Sequence, residues 1–572
     1  MVTGTVVGAT LDPERGIPSL EVPPGATSEE RSFAAVEREV VEHLFRLSPG
    51  LAVVLGIHSY DGLLPDLGRS SVENWARRSQ ELLAKLGAFG DKELSRDRKL
   101  DRDLLRLRLR SELFDLVDYL YLDRLPLAYV GPLELVPYTA RPYAPAAHRA
   151  EAMVRVLRGA PSLLRTGLER LSRPLPEAFV KIALAMAEGL VPHFRESESF
   201  VRNEAPSLLR EYQAAREGAE AAATGFVEHL RGSLPGATGD FALGPERFQR
   251  LLKVREGLEL PWAALEKEGW EDLRRNQRRL EEIARSARPP TTKEAVLKAM
   301  AADHPRAEDL LSEAAGQVEE TRRFVLDKEL VTIPTPERCR VEPTPLVDRA
   351  WTTASMDPPG PFETSTHEGV YHVTPVEDSW DAEKKEQWLA SFNRPVLRNV
   401  TAHEVYPGHY VQFLHFRAHT STLTRRVYLS GAFTEGWAHY TEQLMIEQGF
   451  RAGEPAAELA ELTDALLRDV RLLASVGMHA RGTTVAQATT LFEKEAHMEH
   501  FPAEREAMRG TFNPEYFGYT LGKLAILKAR RAYFERHPGS SLKSFHDLLL
   551  SFGAPPVGFL EPLLLGTELP SP

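Results

Sequence analysis

Residues 100–120 read LDRDLLRLRLRSELFDLVDYL, and residues 151–171 read EAMVRVLRGAPSLLRTGLERL. In both, apolar residues return every three or four positions between charged ones, which is the period of a helix with one buried stripe. The same pattern runs from about Glu30 to Leu326. It is broken at Pro- or Gly-containing pieces near 124–145, 232–244 and 287–292, which are expected to be interhelical loops. Near residue 328 the composition changes. KELVTIPTPERCRVEPTP (328–345) and THEGVYHVTP (366–375) carry β-branched and aromatic residues among prolines, which predicts a few short strands with an exposed edge. Helical periodicity returns from about Asp381 and continues to the C-terminus. The expected fold is therefore mostly α with a small sheet. A helical region 1–327 covers a cleft, and a region 328–572 carries the short strands and the chemistry.

The 572 residues include 70 Lys and Arg against 82 Asp and Glu, a formal charge of −12, so the basic stripe needed to bind a polyanion is missing and nucleic acid is not expected as a partner. The first residues, MVTGTVVGATLDPERG, lack the charged head and apolar stretch of a secretory signal, and no window approaches a membrane span. A cytoplasmic protein without a membrane partner is the expectation. The sequence sets no oligomeric state. A single cysteine, Cys339, excludes an intrachain disulfide and a cysteine cage, so any metal must be held by His, Asp or Glu.

Ten of the 18 histidines fall between His367 and His500. Within that stretch Thr401–Gln412 reads TAHEVYPGHYVQ and Gly431–Gln443 reads GAFTEGWAHYTEQ. In the His-Glu-x-x-His pattern of zinc peptidases, four residues advance about 400°, so both imidazoles share a helix face. His403 and His409 are six apart, roughly 600° on a regular helix, and their rings would diverge. Pro407 removes a backbone donor and Gly408 opens backbone angles closed to other residues, so a bulged, widened turn is expected to bring the two rings together. A third ligand is needed. Glu435, 26 residues after His409, is reached by a second helix running back alongside the first. His439, one turn beyond Glu435, is a further ligand, a donor to the carboxylate or a substrate contact, the last two being preferred.

With His403, His409 and Glu435 around one Zn2+, Glu404 would take the proton from the activated water and return it to the leaving group. Tyr516, Tyr519 and His479 are candidates for the donor that stabilises the oxyanion. Arg471 either binds a substrate carboxylate or pairs with a neighbouring acid. Along Gly369–Thr374 an extended peptide could add as a strand, with His372 as a substrate contact there. Trp437 is expected in the core, Cys339 to be inert, and His415 and His419 to form a polar helix face.

HEVYPGHYVQ, EGWAHYTEQ, VRLLASVGMHARG and GYTLGK, preceded by MDPPGPFE and GVYHVTP, resemble the successive motifs of the DUF885 family. These bacterial proteins are grouped by fold with the gluzincin zinc metallopeptidases. The resemblance implies a multi-helix gluzincin-like metallopeptidase fold with a small sheet beside the active-site helix. It implies His403, His409 and Glu435 as ligands, Glu404 as base, Tyr519 as oxyanion donor, and His479 and Arg471 as substrate-side groups. Ser475 and Glu515 depart from the family pattern, away from the metal motif. The function expected is zinc-dependent hydrolysis of peptide bonds in short or unfolded peptides. The alternatives are hydrolysis of a small non-peptide amide, and a helical binding protein that has lost catalysis.

Overall fold

A computed structural model of the chain describes residues 16–17, 27–171, 174–286, 290–345, 349, 352–365, 368–419 and 422–570. Apolar stripes read in the sequence become long helices. The principal ones in the first half are α1 (Ser28–Leu47), α2 (Arg96–Leu113), α3 (Ala146–Arg170), α4 (Glu177–Glu204), α5 (Leu209–Ser233), α6 (Trp262–Ser286) and α7 (Leu310–Asp327). Leu100, Leu104, Leu105, Leu107 and Leu109 of α2 are all buried, as its spacing requires. Helices α3, α4 and α5 pack on one another. Their inner faces, with α1, form one hydrophobic cluster that also takes in Phe362, Leu423 and Val427. A larger cluster joins α6 and α7 to the helices of the second half. The expected loop near 124–145 contains two single-turn helices, Leu127–Val130 and Val136–Thr139. Part of the expected loop at 287–292 lies outside the described residues.

Three short strands follow α7: β1 (Arg340–Pro343), β2 (Ala354–Asp357) and β3 (Val370–Val373). Their order is β1-β3-β2, with β1 parallel and β2 antiparallel to β3. This corrects the expectation of a free edge at Gly369–Thr374. That segment is the buried central strand, bonded through Arg340 N to Gly369 O on one side and Thr374 N to Thr353 O on the other. No peptide can add there. The sequence gives little warning of β2, whose Ala-Ser-Met-Asp lacks the alternation of a half-buried strand. Tyr371 of β3 points toward the helix Arg394–Glu404, its hydroxyl 3.4 Å from Thr401 Oγ1, so the sheet lies beside the helix that carries His403.

The second half continues with α8 (Arg394–Glu404), α9 (His409–His419), α10 (Gly431–Glu447), α11 (Pro455–Ala480), α12 (His500–Phe512), α13 (Gly518–Arg536) and α14 (Leu542–Ser551). Two of these touch almost backbone to backbone. A Cβ on Gly436 of α10 would fall 2.4 Å from Gly522 Cα, and one on Gly522 of α13 would fall 1.9 Å from Ala432 O. The glycines of the Glu-Gly-Trp and Tyr-Thr-Leu-Gly-Lys motifs are therefore a packing requirement that seats α10 firmly on α13. His415 is not part of a polar face. It is 1% exposed, with Nε2 bonded to Thr332 O at 2.7 Å. The side chain of His419, and all of His367, lie outside the described residues. Cys339 is buried, and burial pushes its thiol up to about 12, against the pull of Arg340, so it carries no reactive thiolate.

Candidate metal centre

Helix α8 is capped by Asn393, whose side chain accepts a hydrogen bond from Val396 N, and ends at Glu404. The chain does not bulge after His403 as expected. It breaks: residues 405–408 are non-helical, the Tyr406–Pro407 peptide is cis, and α9 begins afresh at His409. Gly408 N donates to Ala402 O, six residues back, at 3.0 Å. This approach is so close that a Cβ on Gly408 would lie 1.7 Å from His403 O. Trp437 of α10 is fully buried, as expected, and its indole Nε1 donates to the carbonyls of Pro407 and Gly408 at 3.1 and 3.2 Å. The break is thus clamped by the helix that carries Glu435.

The break makes the expected ligands converge. The rings of His403 and His409 are 4.8 Å apart and nearly perpendicular. Each Nε2 lies 3.6 Å from the same oxygen of Glu435, and the three ligand atoms fall within 4.8 Å of one another. Ligand atoms about 2.0–2.1 Å from a tetrahedral ion are roughly 3.3 Å apart, so the separation suits a bound divalent cation. Two imidazoles and a carboxylate suit zinc, and manganese or cobalt as well. Among the described residues this is the one His/Cys/Asp/Glu group placed to hold a metal. Although burial opposes charge, the two imidazoles hold the Glu435 carboxyl well below the usual carboxylate range. Burial and Arg468 oppose protonation of His403, yet Glu435 and Glu442 raise it to about 9. The point where the three side chains meet attracts positive charge. The Glu435 side chain keeps 33% of its surface exposed, so the centre opens to solvent on one side.

Sequence reasoning missed Glu442. It lies seven residues beyond Glu435 on α10, close to the same face, and that spacing was the available signal. Its carboxylate, 1% exposed, accepts from His403 Nδ1 at 2.5 Å, from Arg468 Nη1 at 2.8 Å and from Asn399 Nδ2 at 3.2 Å. Because Nδ1 donates to Glu442, the neutral His403 ring keeps its lone pair on Nε2, facing Glu435. Burial raises the Glu442 carboxyl, but Arg468 and His403 win and hold it well below the usual range.

Glu404 is 9% exposed and makes no hydrogen bond or ion pair with a described residue, so its carboxylate is uncommitted beside the ligands. Tyr519 is half-buried, and its hydroxyl has no hydrogen-bond partner among the described residues. The guanidinium groups of Arg471 and Arg468 lie over its ring at 5.0 and 5.9 Å. Burial, reinforced by Glu435, pushes the phenol above its usual range and keeps it a donor.

Five other candidates are placed differently. His479 is fully buried, bonded to Gly510 O at 2.8 Å and stacked on Phe248. Burial lowers it to about 4, and it lies eleven residues, about 16 Å, along α11 from Arg468. It is a core histidine, not a site residue. Tyr516 has no exposed surface and gives its hydroxyl to Glu506, which removes it as a substrate contact and oxyanion donor. His439 is also fully enclosed, 3.5 Å from Glu442, so it neither meets substrate nor bonds Glu435. Arg471 pairs in a fork with Glu506 at 2.8 and 2.9 Å, which is the neighbouring-acid reading. His372 sits on β3, 8% exposed, facing away from the Thr401 side. The two departures from the family pattern are tied elsewhere. Ser475 donates to Pro514 O at 2.7 Å and Glu515 pairs with Arg255 at 2.9 Å.

Comparison with known proteins adds the family and the fold. No curated protein matches the chain. A "putative lipoprotein of unknown function" from Shewanella oneidensis shares the fold with a TM-score of 0.78 at 23% identity, over 93% of this chain and 99% of its own. A "putative lipoprotein" from Colwellia psychrerythraea does so with a TM-score of 0.78 at 18% identity, over 94% of this chain and 99% of its own. At these identities the likeness shows the fold. The descriptions of both neighbours nevertheless count against the expected cytoplasmic location, since lipoproteins are anchored to membranes, and that expectation is withdrawn. Among the described residues no helix is long and apolar enough to cross a membrane. The family model for "Bacterial protein of unknown function (DUF885)" matches residues 49–564, and the chain belongs to that family.

Proposed function

We propose that this protein is a gluzincin-like, zinc-dependent hydrolase that cleaves peptide bonds in short or unfolded peptides. His403, His409 and Glu435 would hold one ion. When bound, the ion supplies Lewis-acid polarisation of the scissile carbonyl and lowers the pKa of water. Glu404 takes the proton from the attacking water and passes it to the leaving amine. Tyr519 donates to the oxygen on which negative charge develops, its ring held by Arg468 and Arg471. Glu442 fixes the tautomer and angle of His403. The observation that carries the reading is the meeting of two imidazoles and a carboxylate across a broken helix, with an uncommitted glutamate next to the first imidazole.

The test is metal analysis of the purified protein together with a screen of peptides and acyl amides, using Glu404→Gln as control. The proposal expects bound zinc, peptide turnover, and a loss of roughly 10²–10⁴-fold in Glu404→Gln with metal retained. Activity confined to non-peptide amides would replace the substrate. Zinc without any turnover would leave a binding protein.

A further inference from the structure

Three guanidinium groups gather on the Tyr516–Tyr519 side of the metal centre. Arg471 lies 5.0 Å from the ring centres of both tyrosines, Arg468 5.9 Å from that of Tyr519, and Arg509 of α12 5.1 Å from that of Tyr516. Two of the three have acids to match. Arg468 is bonded to Glu442, and Arg471 takes both oxygens of Glu506. Glu506 is used again by the Tyr516 hydroxyl. The Arg509 guanidinium makes no hydrogen bond and no ion pair with any described residue. It is half-buried beside Arg471, and Glu506, the acid whose charge reaches it, is already bonded to Arg471 and Tyr516. Arg471 lies over the rings of both Tyr516 and Tyr519, and Arg468, over Tyr519, is bonded to Glu442, the partner of His403, so one chain of contacts runs from Arg509 to the His403 side of the centre. A planar cation with free donors, next to a second cation at the end of a cluster that reaches the partner of His403, is suited to a carboxylate supplied from outside.

We propose that Arg509 binds a carboxylate of the substrate close to the scissile bond, and that this carboxylate is the free C-terminus of a short peptide. The assignment deepens the peptide-hydrolase reading and rests on it. It makes the enzyme selective for peptides with an unblocked C-terminus near the cleaved bond.

The experiment measures binding to the zinc-loaded Glu404→Gln protein by calorimetry. The probes are trialanine as free acid and as C-terminal amide, plus amidated Ala-Glu-Ala against amidated Ala-Gln-Ala. A charge-assisted contact predicts the free acid binding roughly tenfold to a hundredfold tighter than the amide. Adding Arg509→Met should bring that ratio to within about twofold, and Arg509→Lys, which keeps charge but not the fork, should retain part of it. Unfolding midpoints and zinc content of both variants establish that the fold and centre persist. A ratio near one in the parent, or one that survives Arg509→Met, overturns the assignment. Collapse confined to the Glu/Gln pair overturns the C-terminal source and leaves a side-chain carboxylate. Hydrolysis of the same four peptides by the unmutated protein separates the two readings. Discrimination in binding without turnover sinks the peptidase and keeps Arg509, and equal turnover of acid and amide does the reverse.

Discussion

Replacing Gly408 with alanine tests the broken helix with the least chemical change. The added Cβ would stand 1.7 Å from His403 O and 2.5 Å from Ala402 O, both backbone atoms in the last turn of α8. Ordinary carbon–oxygen contact requires about 3.2 Å or more, so His403 O and Gly408 must separate by roughly 1.5 Å. A metal site tolerates displacements of about 0.2 Å in its ligands. The separation cannot be absorbed by α10, because Trp437 pins the carbonyls of residues 407 and 408, and Gly436 against Gly522 leaves no slack behind it. Overpacking of this kind costs about 1–3 kcal/mol of stability. We expect Gly408→Ala to lose zinc affinity by more than tenfold in a chelator competition, with a lower urea midpoint. Gly316→Ala is the matched control. It sits in the exposed middle of α7 with nothing within 4 Å of the new Cβ, so it should gain about 0.5–1 kcal/mol and leave zinc affinity unchanged. Unchanged zinc affinity in Gly408→Ala would refute the reasoning.

Three further outcomes follow from the same geometry. Glu442→Gln should weaken zinc about 10–100-fold, since His403 loses its carboxylate partner, and should also destabilise the fold because Arg468 keeps a buried charge; chelator titration and denaturation read both. Tyr519→Phe should retain zinc but reduce kcat by about 10²–10³-fold on any peptide found to be a substrate. Between the two halves of the chain, His58 is bonded to Asp61 at 3.1 Å and Glu363 at 2.9 Å. Although burial opposes the charge, these acids raise His58 from 6.5 to about 9. Because the folded pKa is the higher, its stabilisation is complete below about pH 6.5 and is lost as pH rises through about 9. His58→Gln should therefore lower the unfolding midpoint at pH 6 and change it little at pH 10.

What could be read in the sequence was what depends on period and spacing. Leucines three and four apart gave the helices, and the motif residues His403, His409 and Glu435 gave three side chains that converge. What could not be read depends on tertiary partners. Pro407 and Gly408 signalled an interruption, but whether a helix bulges or stops is settled by Trp437, thirty residues away. His479 and Tyr516 look like site residues because they are polar and lie in or beside family motifs. Their rings are committed instead to Gly510 and Phe248, and to Glu506. Arg471 was legible only as an ambiguity that the position of Glu506 resolves. Glu442 had the right helical spacing, but nothing local tells a buried carboxylate from an exposed one. The strand at Ala354–Asp357 lacks alternation, so the closure of both edges of β3 went unseen.

The proposed chemistry requires a cation held by His403, His409 and Glu435. Diffraction data collected at the zinc absorption edge from crystals of the zinc-loaded protein test it most directly. The prediction is one anomalous peak about 2.0–2.2 Å from His403 Nε2, His409 Nε2 and a Glu435 carboxylate oxygen. A fully loaded crystal with no peak there, or with its peak among other side chains, would contradict it.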